Sequence, residues 1–344
     1  MTPAPAQAPS RPLSHEAASH QVFQYHPVLG HRYIPGLRTR VPHWNGGYLV
    51  RVNEAGFRCD HEVTPERPAG SARVLLFGDS FTAGDGVSNR DRYGDALERL
   101  VPGLQVLNFG LSGSGTDQQY LAFRETAAGL DYDLVVVGVF VENIRRIVSR
   151  YRGYMTPAGE LVYRAKPFFE IGADGTLTLR NVPVRREPVA LDEIPAAERD
   201  HIADNEVRFR TARLAGRGAV ELAQRVTRYQ PLPAYRRSSS RPWRLMRAIL
   251  AEWAREARSP VLVMPISLWR YVVETSSPRA YRRRFGELEG LPGLSVRDPL
   301  DDIHAVPRAE REGLRLIDYH PTPARHGLLA RSLAPAVRRL LGDR

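Results

Sequence analysis

The stretch Arg73–Gly84, RVLLFGDSFTAG, decides the fold. Its first half is a short apolar run ending at a glycine, the pattern of a parallel strand buried on both faces. Its second half turns small and polar, the texture of a tight passage from strand to helix. Working outward, the same rhythm repeats. RYGDALERLVP (92–102) carries apolar residues at helical spacing and stops at Pro102. LQVLNFG (104–110) reads as a second strand, and TDQQYLAFRETAAG (116–129) as a helix with Thr116 and Asp117 as cap candidates and Gly129 as its stop. YDLVVVGVFV (132–141) is a third strand and the most continuous apolar run in the chain. After an irregular stretch the rhythm resumes. It gives a helix in PWRLMRAILAEWAREA (242–257), a strand in PVLVMPI (260–266), a helix near Pro278–Leu288, a short strand near Leu294 and an amphipathic helix over about Pro323–Leu341. Alternating strands and helices predict an α/β fold, a three-layer α/β/α sandwich around a parallel sheet of about five strands.

The chain has 344 residues, 42% hydrophobic and 25% charged, enough to bury a large core. Residues 1–22 are rich in Pro, Ala and Ser, which predicts a disordered leader without the apolar stretch of a secretory signal. Residues 23–70 read as a small β-rich cap, closing in the linker EVTPERPAGSA (62–72). The main domain is expected over 71–344, with an insertion at about 145–240. Within that insertion, ELVYRAKPFFEIGADGTLTLRNVPV (160–184) reads as one hairpin turning at Ala173–Gly175. No apolar run approaches the roughly 18 residues of a membrane helix, so a cytoplasmic protein is expected.

The net charge of +11 would ordinarily suggest an anionic partner. Of the 49 basic residues, however, only Lys166 is a lysine, and the arginines are spread along the whole chain. Their densest clusters, Arg236–Arg247 and Arg279–Arg284, show no aromatic interleaving, helix-turn-helix or zinc-finger spacing. Solvated surface is the expected reading, with no nucleic-acid partner, although one cluster could grip an anionic substrate by bidentate contact. A single cysteine, Cys59, excludes a disulfide framework and any cysteine-cage metal site.

Four places could carry chemistry. Ser80 lies just past the carboxyl end of the first parallel strand, where open α/β sheets bind ligands. Its hydroxyl could face outward, with backbone N–H groups free for an oxyanion, although Gly78, Asp79 and Ser80 also suit a plain turn and cap. NFGLSGSGTDQQ (108–119) follows the second strand, and its glycines allow close backbone approach. Gln118 stands where a dinucleotide fingerprint needs a third glycine, so a glycine N–H offered to a ligand fits better, with an ordinary Gly-rich loop as the alternative. Asn143 follows the third strand on the same edge, either a directional donor or a turn cap. Asp318 and His320 precede the last helix, either a general base held by a carboxylate or a plain helix-preceding turn with a partly exposed histidine. His326 falls within that helix and reads as packing or capping. Asp301, Asp302 and His304 match no metal template and read as a solvated loop. Cys59 reads as a structural or incidental thiol.

In combination these blocks resemble the SGNH (GDSL) serine hydrolase superfamily. GDSFTAG looks like its first block, NFGLSGSGT its second, FVENI its third and DYHPTPARHGLLA its last. The resemblance covers Arg73–Val141 and the last third of the chain, not the insertion. It implies Ser80 as nucleophile, His320 as base and Asp318 as the orienting acid. The oxyanion donors would be the N–H groups of Ser80 and Gly113 and the Asn143 side chain. The implied reaction is acyl transfer through an acyl-serine on a small-molecule or carbohydrate ester, with no metal or organic cofactor. An O-acyltransferase on the same triad, or a non-catalytic binding protein on the same fold, remains open at this point.

Overall fold

Five parallel strands form the central sheet: β5 (Ala72–Gly78), β6 (Leu104–Asn108), β7 (Leu134–Phe140), β12 (Val261–Ile266) and β13 (Leu294–Val296). The computed structural model describes residues 21–342 apart from 45, 157, 159, 200–201 and 203–228. Most of the expected leader and part of the insertion therefore lie outside the described residues. The sheet order is β13-β12-β7-β5-β6, and every neighbouring pair is parallel. Counting only these five strands along the chain, the order is 2-1-3-4-5, the doubly wound arrangement. The chain leaves β5 toward β6 on one side and then crosses to β7 on the other. The carboxyl ends of β5 and β7, in register at Gly78 and Gly138, therefore flank the crevice where such sheets bind ligands.

Neighbouring side chains on β5 show why there are three layers. Val74, Leu75, Leu76 and Phe77 are fully buried, and successive side chains on a strand point to opposite faces. The Phe77 ring packs against Phe123 of α3 (Thr116–Thr126) and Trp253 of α5 (Arg241–Glu256). Leu76 faces the other way, against Gly94 of α2 (Tyr93–Leu100), where a Cβ would come within 2.6 Å of its Cδ2. On that side α2 packs with α9 (Pro323–Leu341).

Outside the sheet, the N-terminal region folds as two hairpins. β1 (Phe23–His26) pairs with β2 (Gly30–Tyr33), and β3 (Arg38–Val41) with β4 (Tyr48–Arg51). Buried Arg58 ties this cap to the body. Its guanidinium donates to the carbonyls of Leu49 (3.0 Å), Ala83 (2.8 Å) and Gly84 (2.6 Å). Among the described residues, no helix is long and apolar enough to cross a membrane.

Four expectations are corrected. Among its described residues the insertion holds two hairpins rather than one. β8 (Tyr151–Met155) pairs with β9 (Leu161–Ala165), and β10 (Phe168–Ile171) with β11 (Leu177–Arg180), because Pro167 cannot donate to a continuing ladder. The cap of α3 is Gly115, whose N–H donates to Gln118 Oε1 at 3.2 Å, not Thr116 or Asp117. Asp117 is the second residue of the helix, where its buried carboxylate accepts the Gln118 N–H at 2.9 Å and pairs with Lys166. Asp301, Asp302 and His304 lie on a short helix, Leu300–His304, instead of a loop, started by Asp298 accepting the Leu300 N–H at 2.9 Å. Asp301 there pairs with Arg282 and Asp302 with Arg297. Finally, the arginine clusters are largely exposed, but Arg284 is buried against Glu287 and Arg282 is pinned by Asp298.

Candidate active site

Where β5 ends, Gly78 is forced by crowding: a Cβ there would lie 1.9 Å from Thr82 Oγ1. The next residue, Asp79, caps a single helical turn, α1 (Ser80–Ala83), by accepting the Phe81 N–H at 3.0 Å. Asp79 is fully buried, and its other oxygen pairs with Arg146 at 2.9 Å. Burial pushes the Asp79 carboxyl up, against the Arg146 charge, which pulls it down. Ser80 is thereby fixed at the first position of the turn, 5% exposed. Among the described residues its N–H makes no hydrogen bond.

His320 reaches this serine from the loop before α9. Tyr319 takes a left-handed conformation (φ 71°), and the Leu316 N–H donates to the His320 carbonyl at 2.7 Å, closing a tight reversal. His320 Nε2 lies 3.0 Å from Ser80 Oγ, and Nδ1 lies 2.9 Å from Asp318 Oδ2. The His320 N–H also donates to Asp318 Oδ1 at 3.2 Å. The carboxylate at Nδ1 favours the tautomer with the proton there, which leaves the Nε2 lone pair facing the serine hydroxyl. A second imidazole, His43 of the cap, places its Nε2 3.1 Å from the same Asp318 Oδ2.

The electrostatics follow this geometry. Burial alone would raise the Asp318 carboxyl, but hydrogen bonds from His320 and His43 outweigh it and hold the group well below the usual carboxylate range. Burial works to lower His320. The Asp318 hydrogen bond and charge, with the charges of Asp85 and Asp79, overcome it and leave the imidazole above its ordinary value.

Gly113 and Asn143 complete the edge. Gly113 has φ 76°, and among the described residues its N–H has no partner. Asn143 opens α4 (Asn143–Arg146), is fully buried, and has no hydrogen bond at either amide atom among the described residues. Arg146, one turn on, donates to Asp79 and to the Ser114 carbonyl at 3.1 Å. One guanidinium thus ties α4 to the turns after β5 and β6, which carry Ser80 and Gly113.

Ser80, His320 and Asp318 therefore stand in one hydrogen-bonded line, with Gly113 and Asn143 on the neighbouring turns. His326 lies apart, buried in α9, where its Nδ1 accepts the Tyr93 N–H at 3.2 Å and burial pushes its pKa well down. Cys59 is also remote from this line, and burial raises its thiol to about 11. Sequence reasoning missed His43 and Arg146. Nothing in HWNGG or NIRR announces a catalytic neighbour, because both arrive by tertiary placement.

No protein-family model matches this chain, and no curated protein matches it. Solved structures do show similarity. A lipolytic protein of the G-D-S-L family from Veillonella parvula is 11% identical, with a TM-score of 0.42 over 78% of this chain and 100% of that one. An acetylxylan esterase from Geobacillus stearothermophilus is 15% identical, with a TM-score of 0.39 over 79% of this chain and 95% of that one. The fold itself is carried by the strand order and registers described above.

Proposed function

We propose that this chain is a serine-dependent hydrolase of acyl esters that works through an acyl-serine. The observation that carries the reading is the hydrogen-bonded line from Ser80 Oγ through His320 to Asp318 at a sheet switch point. His320 Nε2 takes the Ser80 proton as Oγ attacks the ester carbonyl, and Asp318 stabilises the resulting imidazolium. Oxyanion charge is met by the unengaged N–H groups of Ser80 and Gly113 and by the Asn143 amide. Donors held by the fold before reaction need no reorganisation as charge develops. The imidazolium then returns its proton to the leaving alcohol. In the second half-reaction His320 activates water to release the acid.

A fully buried amide with no partner among the described residues costs stability, roughly 1–3 kcal/mol for each stranded group. An oxyanion donor gives Asn143 a use that a purely structural residue would lack, and this favours an enzyme over a binding protein. Water and an acceptor alcohol need the same triad, so the hydrolase reading also accommodates acyl transfer. The test is steady-state hydrolysis of p-nitrophenyl acetate. Wild-type protein should turn it over, and folded Ser80→Ala should lose on the order of a millionfold in kcat. Comparable turnover by Ser80→Ala would sink the reading.

A further inference from the structure

Beside Gly113 lies a cavity of about 350 Å³, walled largely by the insertion and by α4. Four cationic side chains line it: Arg145, Arg146, Arg152 and Lys166. Three of them are matched by carboxylates. Arg145 pairs with Glu142 at 3.0 Å, Arg146 with Asp79 at 2.9 Å and Lys166 with Asp117. Arg152 of β8 is different. Among the described residues its side chain makes no hydrogen bond and no ion pair, and its guanidinium lies 5.4 Å from the Tyr154 ring centre.

Its position relative to the serine is set by Gly113. A Cβ on Gly113 would meet Arg152 Nη1 and Nη2 at 1.8 Å each and Cζ at 2.0 Å. The guanidinium therefore packs directly on the α-carbon of the glycine assigned above to the oxyanion. An unmatched cation in a partly buried wall is costly to hold, and a planar fork of N–H donors is suited to two oxygens of one anion.

We propose that Arg152 selects esters that carry an anionic group, a carboxylate or a phosphate, a few atoms from the scissile carbonyl. This rests on the hydrolase reading of the same site and adds its substrate class. The ester carbonyl sits at Ser80 and Gly113, while the anion occupies the cavity and takes a bidentate contact from Arg152. The volume suits a short acid or phosphorylated alcohol rather than a long acyl chain. Gly113 serves two purposes in this arrangement, giving its N–H to the oxyanion and its bare α-carbon to the guanidinium.

The test compares kcat/KM for three esters on the full chain. They are neutral p-nitrophenyl butyrate, p-nitrophenyl hemisuccinate with a carboxylate on the acyl side, and 1-acetylglycerol 3-phosphate with a phosphate on the alcohol side. At least one anionic ester should exceed the neutral one, and the arm that does so identifies which side of the ester bears the charge. Arg152→Gln should lower the anionic-to-neutral ratio roughly 10- to 100-fold, and Arg152→Lys should restore part of it. A preference for the neutral ester, or equal losses on all three, would overturn the proposal. Calorimetric titration with glutarate keeps this separate from the hydrolase reading. Saturable binding weakened at least tenfold by Arg152→Gln supports the anion site even in a protein that hydrolyses nothing. Binding that is absent, or indifferent to the substitution, counts against the site even if neutral esters are cleaved.

Discussion

Replacing Asp318 by Asn changes no shape and removes one acceptor, so its consequence can be worked out atom by atom. The carboxylate takes three N–H groups: His320 Nδ1 and His43 Nε2 on Oδ2, and the His320 backbone on Oδ1. Asparagine offers one oxygen. The backbone N–H cannot change its role, whereas an imidazole can move its proton. The amide oxygen therefore stays with the backbone and its NH2 faces the two rings. His320 must then accept at Nδ1 and carry its proton on Nε2, where it meets Ser80 Oγ with no lone pair to offer. Loss of the correct tautomer in such a triad lowers kcat about 10³- to 10⁴-fold, a barrier increase of about 4–5.5 kcal/mol. KM should change little, because Asp318 lies behind the imidazole. The assay is p-nitrophenyl ester hydrolysis by Asp318→Asn, His320→Ala and the double variant, with circular dichroism to show that each is folded. The double variant should be little worse than His320→Ala alone, because triad members act as a unit. A kcat for Asp318→Asn within tenfold of wild type, or additive losses in the cycle, would refute the reasoning and leave Asp318 a turn residue.

Three further outcomes are expected. Asn143→Ala should lower kcat roughly 100-fold or more while leaving the melting temperature unchanged or higher, since it deletes an oxyanion donor together with two stranded buried groups; a protein that melts earlier with kcat intact would contradict this. The pH profile of kcat/KM should fall on the acid side. His320 must be neutral to accept the Ser80 proton, and its raised pKa places that fall above the ordinary 6.5; in Asp318→Asn the same limb should move to lower pH as the charge that raises it is removed. His43→Phe should reduce kcat about fivefold, the worth of one hydrogen bond to the acid, with the His320 line still in place; a loss equal to that of Asp318→Asn would instead make the cap an equal partner in the triad.

Much of the scaffold is legible because its strands are buried on both faces. Val74–Phe77 and Leu134–Val137 are continuous apolar runs that no solvent-facing register would tolerate, and the last helix spans Pro323–Leu341 as its pattern predicts. Ser80, Asp318 and His320 are legible for another reason. They lie at strand and helix boundaries, where residue type speaks of chemistry more than of packing. The residues that escaped are long side chains or rings delivered by elements whose placement is tertiary. His43 depends on Arg58 fastening the cap to Ala83 and Gly84, and Arg146 on a four-residue helix with no periodic signal. The α3 cap escaped because Gly115 makes its contact through the backbone N–H to Gln118, which its residue type does not announce. β8, YRGYM, is partly buried along its whole length, so it lacks the alternation that would have separated the two hairpins.

Covalent labelling reads most directly whether Ser80 is a nucleophile activated by His320. Full-length protein is treated with a fluorophosphonate, and the adduct is mapped by mass spectrometry. One adduct on the peptide carrying Ser80 is expected, absent from Ser80→Ala and formed at least 100-fold more slowly in His320→Ala. A folded protein that takes no label, or carries it on another residue at an unchanged rate in both variants, would contradict the claim.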